Sequence, residues 1–138
     1  MMKKLHLKVL TIEKTVYDDF VDEIKIPTLS GEIGIHGNHT PMVSIIKVGE
    51  MVIKKDSNDI PLFIQGGVIE VRPGSEAVIL ADEVEHLKDI KIDEVEKAYA
   101  RAKIAMENQT KELDVDFAQL EVTLSRELAR LKAAQKWR

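Results

Sequence analysis

The sequence predicts an α+β chain by segments: an N-terminal antiparallel β-sandwich of about nine or ten strands, followed by a C-terminal antiparallel two-helix hairpin. Three observations carry this. All seven glycines and all four prolines lie between Pro27 and Gly74, so the last 64 residues contain neither. Before that break, short apolar runs recur at close spacing with turn residues between them and no helical stripe. After it, two stretches carry apolar residues at helical spacing.

The strands follow in order. Leu5, Leu7 and Val9 alternate with His6 and Lys8, the period of two expected of a half-buried strand. Phe20 to Ile26 form a second, rougher run that ends at Pro27. Ile33 and Ile35 bracket Gly34 in a short third. Met42–Val48 and Met51–Lys54 flank Gly49-Glu50, which reads as a hairpin. Asp56-Ser57-Asn58-Asp59 is a turn by composition. Pro61–Gln65 and Val68–Val71 surround Gly66-Gly67, Arg72–Ser75 turns again, and Ala77–Ala81 is a wholly apolar strand. Residues 1–84 make the sandwich and 85–91 a linker.

Residues 92–138 make the hairpin. Asp93 is placed to cap the first helix, with Glu96 three residues on to reach back. Its stripe is Val95, Ala98, Tyr99, Ala102, Ala105 and Met106, mostly alanine, so a second helix can approach closely. Asn108–Glu112 is polar and turns. Asp114 or Asp116 caps the second helix, whose stripe is Phe117, Leu120, Leu124, Leu128 and Leu131. Two such helices joined by a short connection pack antiparallel.

Bulk composition excludes several classes. The chain has no cysteine, so nothing signals a disulfide scaffold, a thiolate metal site or a redox centre. A net charge of −4 argues against nucleic acid as the main partner. The charge is uneven. Arg126, Arg130, Lys132, Lys136 and Arg138 against Glu127 give the tail +4, which leaves −8 for the rest. A basic tail on an acidic body suggests an acidic partner or self-docking, or else a solvated helix end whose cations suit the helix dipole. The N-terminus lacks the pattern of a signal peptide, and no apolar run approaches the ~20 residues of a membrane span.

The densest stretch is Gly31–Met42, which holds three of the seven glycines and two of the four histidines. It reads as a shaped surface loop. His36 and His39 invite a metal reading, but Gly37 and Asn38 interrupt any strand that would aim both at one ion. Gly66-Gly67 lacks the spacing of a phosphate cradle and fits a bulge or a tight strand approach. No serine or threonine stands beside a histidine and an acid in a nucleophile pattern. The residues by themselves leave open a docking protein, a stand-alone sandwich binding module with a helical appendage, and a metal-dependent sandwich enzyme.

Taken together, Gly31-Glu32-Ile33-Gly34-Ile35, His39-Thr40-Pro41, Gly66-Gly67-Val68-Ile69-Glu70-Val71, Val78-Ile79-Leu80-Ala81-Asp82 and Asp114-Val115-Asp116-Phe117-Ala118 resemble the epsilon subunit of bacterial F-type ATP synthases over essentially the whole chain. The resemblance implies a non-catalytic subunit of the central stalk, or rotor. Such a subunit couples ion-driven rotation to ATP synthesis, and so takes part in hydrogen ion transport. It implies docking on the gamma subunit and the c-ring, with Glu32 toward the ring and His39 toward gamma. It implies a hairpin that extends toward the alpha/beta catalytic head and inhibits ATP hydrolysis. Arg126, Arg130, Lys132, Lys136 and Arg138 would form the basic inhibitory helix. It implies a peripheral place on the cytoplasmic side of a bacterial cell membrane, held there only through partner subunits. Some members bind ATP through Ile/Leu-Asp-x-x-Arg-Ala. Here Glu96 stands where the arginine belongs and Lys97 where the alanine belongs. An anion facing phosphate is unfavourable, so no cofactor is expected.

Overall fold

A computed structural model describes residues 3–108 and 115–137, with side chains for 3–107 and 118–137. Ten strands precede one short 3-10 turn and two helices. The strands are β1 (Leu5–Leu10), β2 (Thr15–Val21), β3 (Glu23–Thr28), β4 (Gly31–His36), β5 (Met42–Ile46), β6 (Gly49–Lys55), β7 (Asn58–Ile64), β8 (Gly67–Arg72), β9 (Glu76–Ala81) and β10 (Val84–His86). The helices are α1 (Ile92–Asn108) and α2 (Val115–Lys136). The chain forms two compact units, Met1–His86 and Leu87–Arg138.

The strands run in the order β10-β7-β6-β3-β5-β8-β9-β1-β2, with β4 added to β3. All pairs are antiparallel except β1 with β9. One core fills the unit: Leu5, Leu7, Val9, Ile24, Ile26, Ile35, Met51, Ile53, Leu62, Ile64, Ile69 and Ile79 are all fully buried. The alternation in β1 puts Leu5, Leu7 and Val9 inward, as the period of two requires.

Four sequence expectations change here. The rough run Phe20–Ile26 is two strands, broken at Asp22. Val21 and Ile24, three residues apart, are both buried, so the inward phase slips there. Asp22 N–H donates to the Lys54 carbonyl at 2.9 Å across the break. The Gly49-Glu50 hairpin does not form. Met42–Ile46 pairs with β8, and with β3 only at Thr28↔Ile46. Gly49–Lys55 pairs with β7, and with β3 at Glu23–Lys25. Gly49 is where the chain passes Pro27, whose Cγ would lie 3.2 Å from a side chain there. The expected linker is largely regular structure: Glu85 and His86 belong to β10, which adds to β7, and Leu87–Asp89 make a 3-10 turn with Leu87 buried. The cap of α1 is Lys91, whose carbonyl accepts from Glu94 and Val95 N–H, both at 3.1 Å. Asp93 sits inside the first turn, where its charge suits the helix dipole.

The face that α2 buries is also rotated from the expected stripe. Among its described side chains Glu127, Ala133 and Ala134 are buried, while Leu128 is only half-buried. Asn108, the first residue of the expected turn, still belongs to α1, and residues 109–112, Asp114, the side chains of Asp116 and Phe117, and Arg138 fall outside what is described.

Two ion-pair groups brace the polar end of the sandwich. Lys4 Nζ bonds Asp22 and lies 3.2 Å from Asp56, and Lys55 Nζ bonds Asp19. The Lys55 bond, then the Phe20 N–H, hold the Asp19 carboxyl below the usual carboxylate range. Lys4, then the Asp56 N–H, do the same for Asp22. A carboxyl depressed in the folded state contributes stability that is fully present above its unfolded value. That contribution is lost as pH falls through the folded one. We expect thermal stability to drop below about pH 4, with a shallower drop in Asp22→Asn. Melting curves of the two chains from pH 6 to 2 check this. These groups are exposed, so the effect is small and weakens with salt.

Candidate docking surface

A strand of period two that contains two consecutive apolar residues must turn one outward. Ile45-Ile46, Val68-Ile69 and Ile79-Leu80 are such pairs. In each, one member is in the core and the other faces out: Ile45 is 56%, Val68 40% and Leu80 58% exposed. The register then lines them up. Ile45 lies opposite Val68, Val68 opposite Leu80, and Leu80 opposite Leu10. Leu29, 67% exposed, joins at the other end of the row, because its N–H donates to the Ile45 carbonyl at 3.1 Å. From β3 to β1 is four strand spacings, so the apolar row is about 19 Å long. In the next row Val43 lies opposite Glu70, Glu70 opposite Val78 and Val78 opposite Lys8, so apolar and charged residues alternate there and the surface begins to turn polar. Beyond it Arg72 bonds Glu70 and Glu76, and His6 Nε2 lies 2.7 Å from Asp18 with its ring stacked on Phe20.

The row crosses the strands close to one end of the sandwich. The β1–β2, β3–β4 and β5–β6 turns gather there, by the pairings of β1 with β9 and of β3 with β5. Their exposed apolar residues are Ile12, Leu29 and Val48. A continuous apolar surface with a polar border is the signature of a docking face, and scattered single residues are not.

Glu32 belongs to this end. It is exposed on β4 opposite Pro27, next to the β3–β4 turn. Buried Thr28 shapes that turn, its hydroxyl donating to the Gly31 carbonyl at 2.7 Å and accepting from Ser30 N–H at 3.2 Å. His39 lies at the opposite end, in the loop after β4. Four residue rises separate Glu32 from His36, about 13 Å, so Glu32 and His39 are not one site. Buried Ser75 anchors the His39 loop: its Oγ accepts from Asn38 N–H at 2.7 Å and donates to Asn38 Oδ1 at 3.3 Å. Asn38 takes φ 64°, a left-handed conformation that asparagine tolerates. The His39 ring donates from Nδ1 to the Thr40 carbonyl at 2.7 Å.

On α2, Arg126 and Arg130 are half-buried while Lys132 and Lys136 are exposed. At 100° per residue, Arg126 and Arg130 share one face, and Lys132 and Lys136 point to another. The described cations therefore form two pairs and not a single stripe. Glu96 and Lys97 are both exposed on α1. Among the described residues, no three His, Cys, Asp or Glu come together as a cation site, and no helix is long and apolar enough to cross a membrane.

Residues 4–87 match the family model described as ATP synthase, Delta/Epsilon chain, beta-sandwich domain. Residues 88–135 match the model described as ATP synthase, Delta/Epsilon chain, long alpha-helix domain. The chain is 36% identical to the ATP synthase epsilon chain of Chloroflexus aggregans over 131 residues, covering 95% of this chain and 92% of that one. It is 35% identical to the ATP synthase epsilon chain of Halalkalibacterium halodurans, over 96% and 98% of the two chains. A chain of the Euglena gracilis mitochondrial ATP synthase shares the fold with a TM-score of 0.82 at 22% identity, over 96% of this chain and 81% of that one. A chain from the central stalk and c-ring structure of the Tetrahymena thermophila enzyme shares it at 0.63 and 14% identity, over 98% and 96%. With both of its units matched in order, the chain belongs to the delta/epsilon family of ATP synthase subunits.

Proposed function

We propose that the chain is a non-catalytic central-stalk subunit of an F-type ATP synthase. In this reading it docks by the apolar face of its sandwich and restrains ATP hydrolysis by its helices. The observation that carries the docking half is the exposed row Leu29–Ile45–Val68–Leu80, ending on half-buried Leu10, set in a family whose members belong to a larger complex. The gamma subunit is the partner for this row. The c-ring takes the neighbouring end, where Glu32 stands among the exposed turn residues Ile12, Leu29 and Val48. That division accounts for two partners on one small domain, because face and end point in different directions. The chain then sits peripherally on the cytoplasmic side of the membrane, held by gamma and the ring. ATP does not bind α1 in this reading, since Glu96 presents an anion where phosphate would lie.

The restraining half is supported by the charge of α2, whose cations suit the acidic surface of a catalytic head. An enzyme assembled with a chain ending before Asp114 is expected to hydrolyse ATP severalfold faster at low ATP than one with the full chain. Equal rates would remove the inhibitory role and leave a coupling one.

A further inference from the structure

On α2, Leu120, Leu124, Glu127, Leu131 and Ala134 recur at spacings of four and three, which places them on one face of the helix. Ala134 is fully buried and the three leucines are half-buried. Glu127, at the centre of this face, is only 8% exposed. It is the one acidic residue among four apolar ones. Its carboxylate accepts from Arg130 Nη1 at 2.8 Å, one turn along, and the Arg130 side chain is itself only 20% exposed.

Taking two charges out of water is costly, and their mutual attraction recovers that cost only in part. An apolar pair of similar volume at such a position usually holds the fold as well or better. We propose that Glu127 is a built-in weak point of the folded hairpin domain, setting how readily α2 leaves its packed state. The comparison that matters is with leucine. When the helix moves into water, a leucine at 127 would expose apolar surface, whereas Glu127 and Arg130 regain hydration and keep their i, i+3 contact. The glutamate therefore shifts the balance toward the open state by loading the closed one. It does so from the middle of the buried face, where every residue's environment changes on opening. The consequence for hydrolysis rests on the stalk reading above; the balance itself does not.

Hydrogen exchange of the full chain, followed by mass spectrometry on α2 peptides, tests this. In E127L/R130L the α2 amides are expected to exchange about tenfold slower than in the wild type. E127M/R130M, with more adaptable side chains, is expected to slow exchange in the same direction. R130L alone leaves the carboxylate buried without its guanidinium, so exchange is expected to quicken. Exchange as fast as the wild type, or faster, in both double variants would overturn the proposal. Because the chain is measured alone, this outcome is separate from that of the truncation experiment.

Discussion

A chain carrying Ile45→Glu and Leu80→Glu is expected to fold normally and to fall out of the assembled enzyme. Both positions are more than half exposed in the free chain, so each substitution there costs the fold little. Against an apolar partner surface the balance reverses. Each carboxylate must be stripped of water with no cation in the row to meet it, a cost of several kcal/mol. Since ~1.4 kcal/mol is a factor of ten, affinity for the stalk should fall by about a hundredfold or more. Co-purification with the gamma subunit reads the loss, and the melting temperature of the free variant reads the fold. A variant that melts as the wild type does and still co-purifies would remove this face from the interface.

The second large effect is on stability. Gly67→Ala is expected to cost roughly 3 kcal/mol or more. Gly67 has φ 132°, which L side chains rarely adopt. A Cβ there would also run into the Leu80 carbonyl oxygen and lie 2.8 Å from the Ala81 Cα. Those atoms are backbone of β9, the strand that pairs with both β8 and β1, so they cannot step aside. Gly74→Ala is the control. It also has positive φ, but nothing lies within 4 Å of its added Cβ. It should cost only the conformational part, about 1 kcal/mol. Denaturant unfolding of the three chains separates the close approach from the backbone strain. Equal costs for Gly67 and Gly74 would show that the approach of β8 to β9 contributes nothing.

Much of the architecture can be read in the residues, because period two and period 3.6 leave different marks and glycine and proline stop where the helices begin. The misreadings have physical sources. Asp22 hides a phase slip, since the residues on either side of it still look like one alternating run. Gly49-Glu50 has the composition of a hairpin turn, yet long-range pairing of β5 with β8 and of β6 with β7 outcompetes it. In α2, the leucine pattern fits either of two adjacent faces, and the apolar character of Leu128 masks the fact that the packed face runs through Glu127. Of the candidate site, Glu32 and His39 came from family resemblance, and the structure places them at opposite ends of β4. The apolar row was legible in principle from its consecutive apolar pairs. It becomes a surface only once the register sets Ile45, Val68, Leu80 and Leu10 side by side.

If the proposed stalk reading holds, this row is covered in the assembled enzyme, and a photo-reactive side chain placed at Leu80 reports it. A cross-link to the gamma subunit is expected in the assembled enzyme, and none to that subunit from Phe20, which is exposed at 58% but lies on β2 beyond the polar border. A Leu80 probe that reacts only with water in an intact, active enzyme would contradict it.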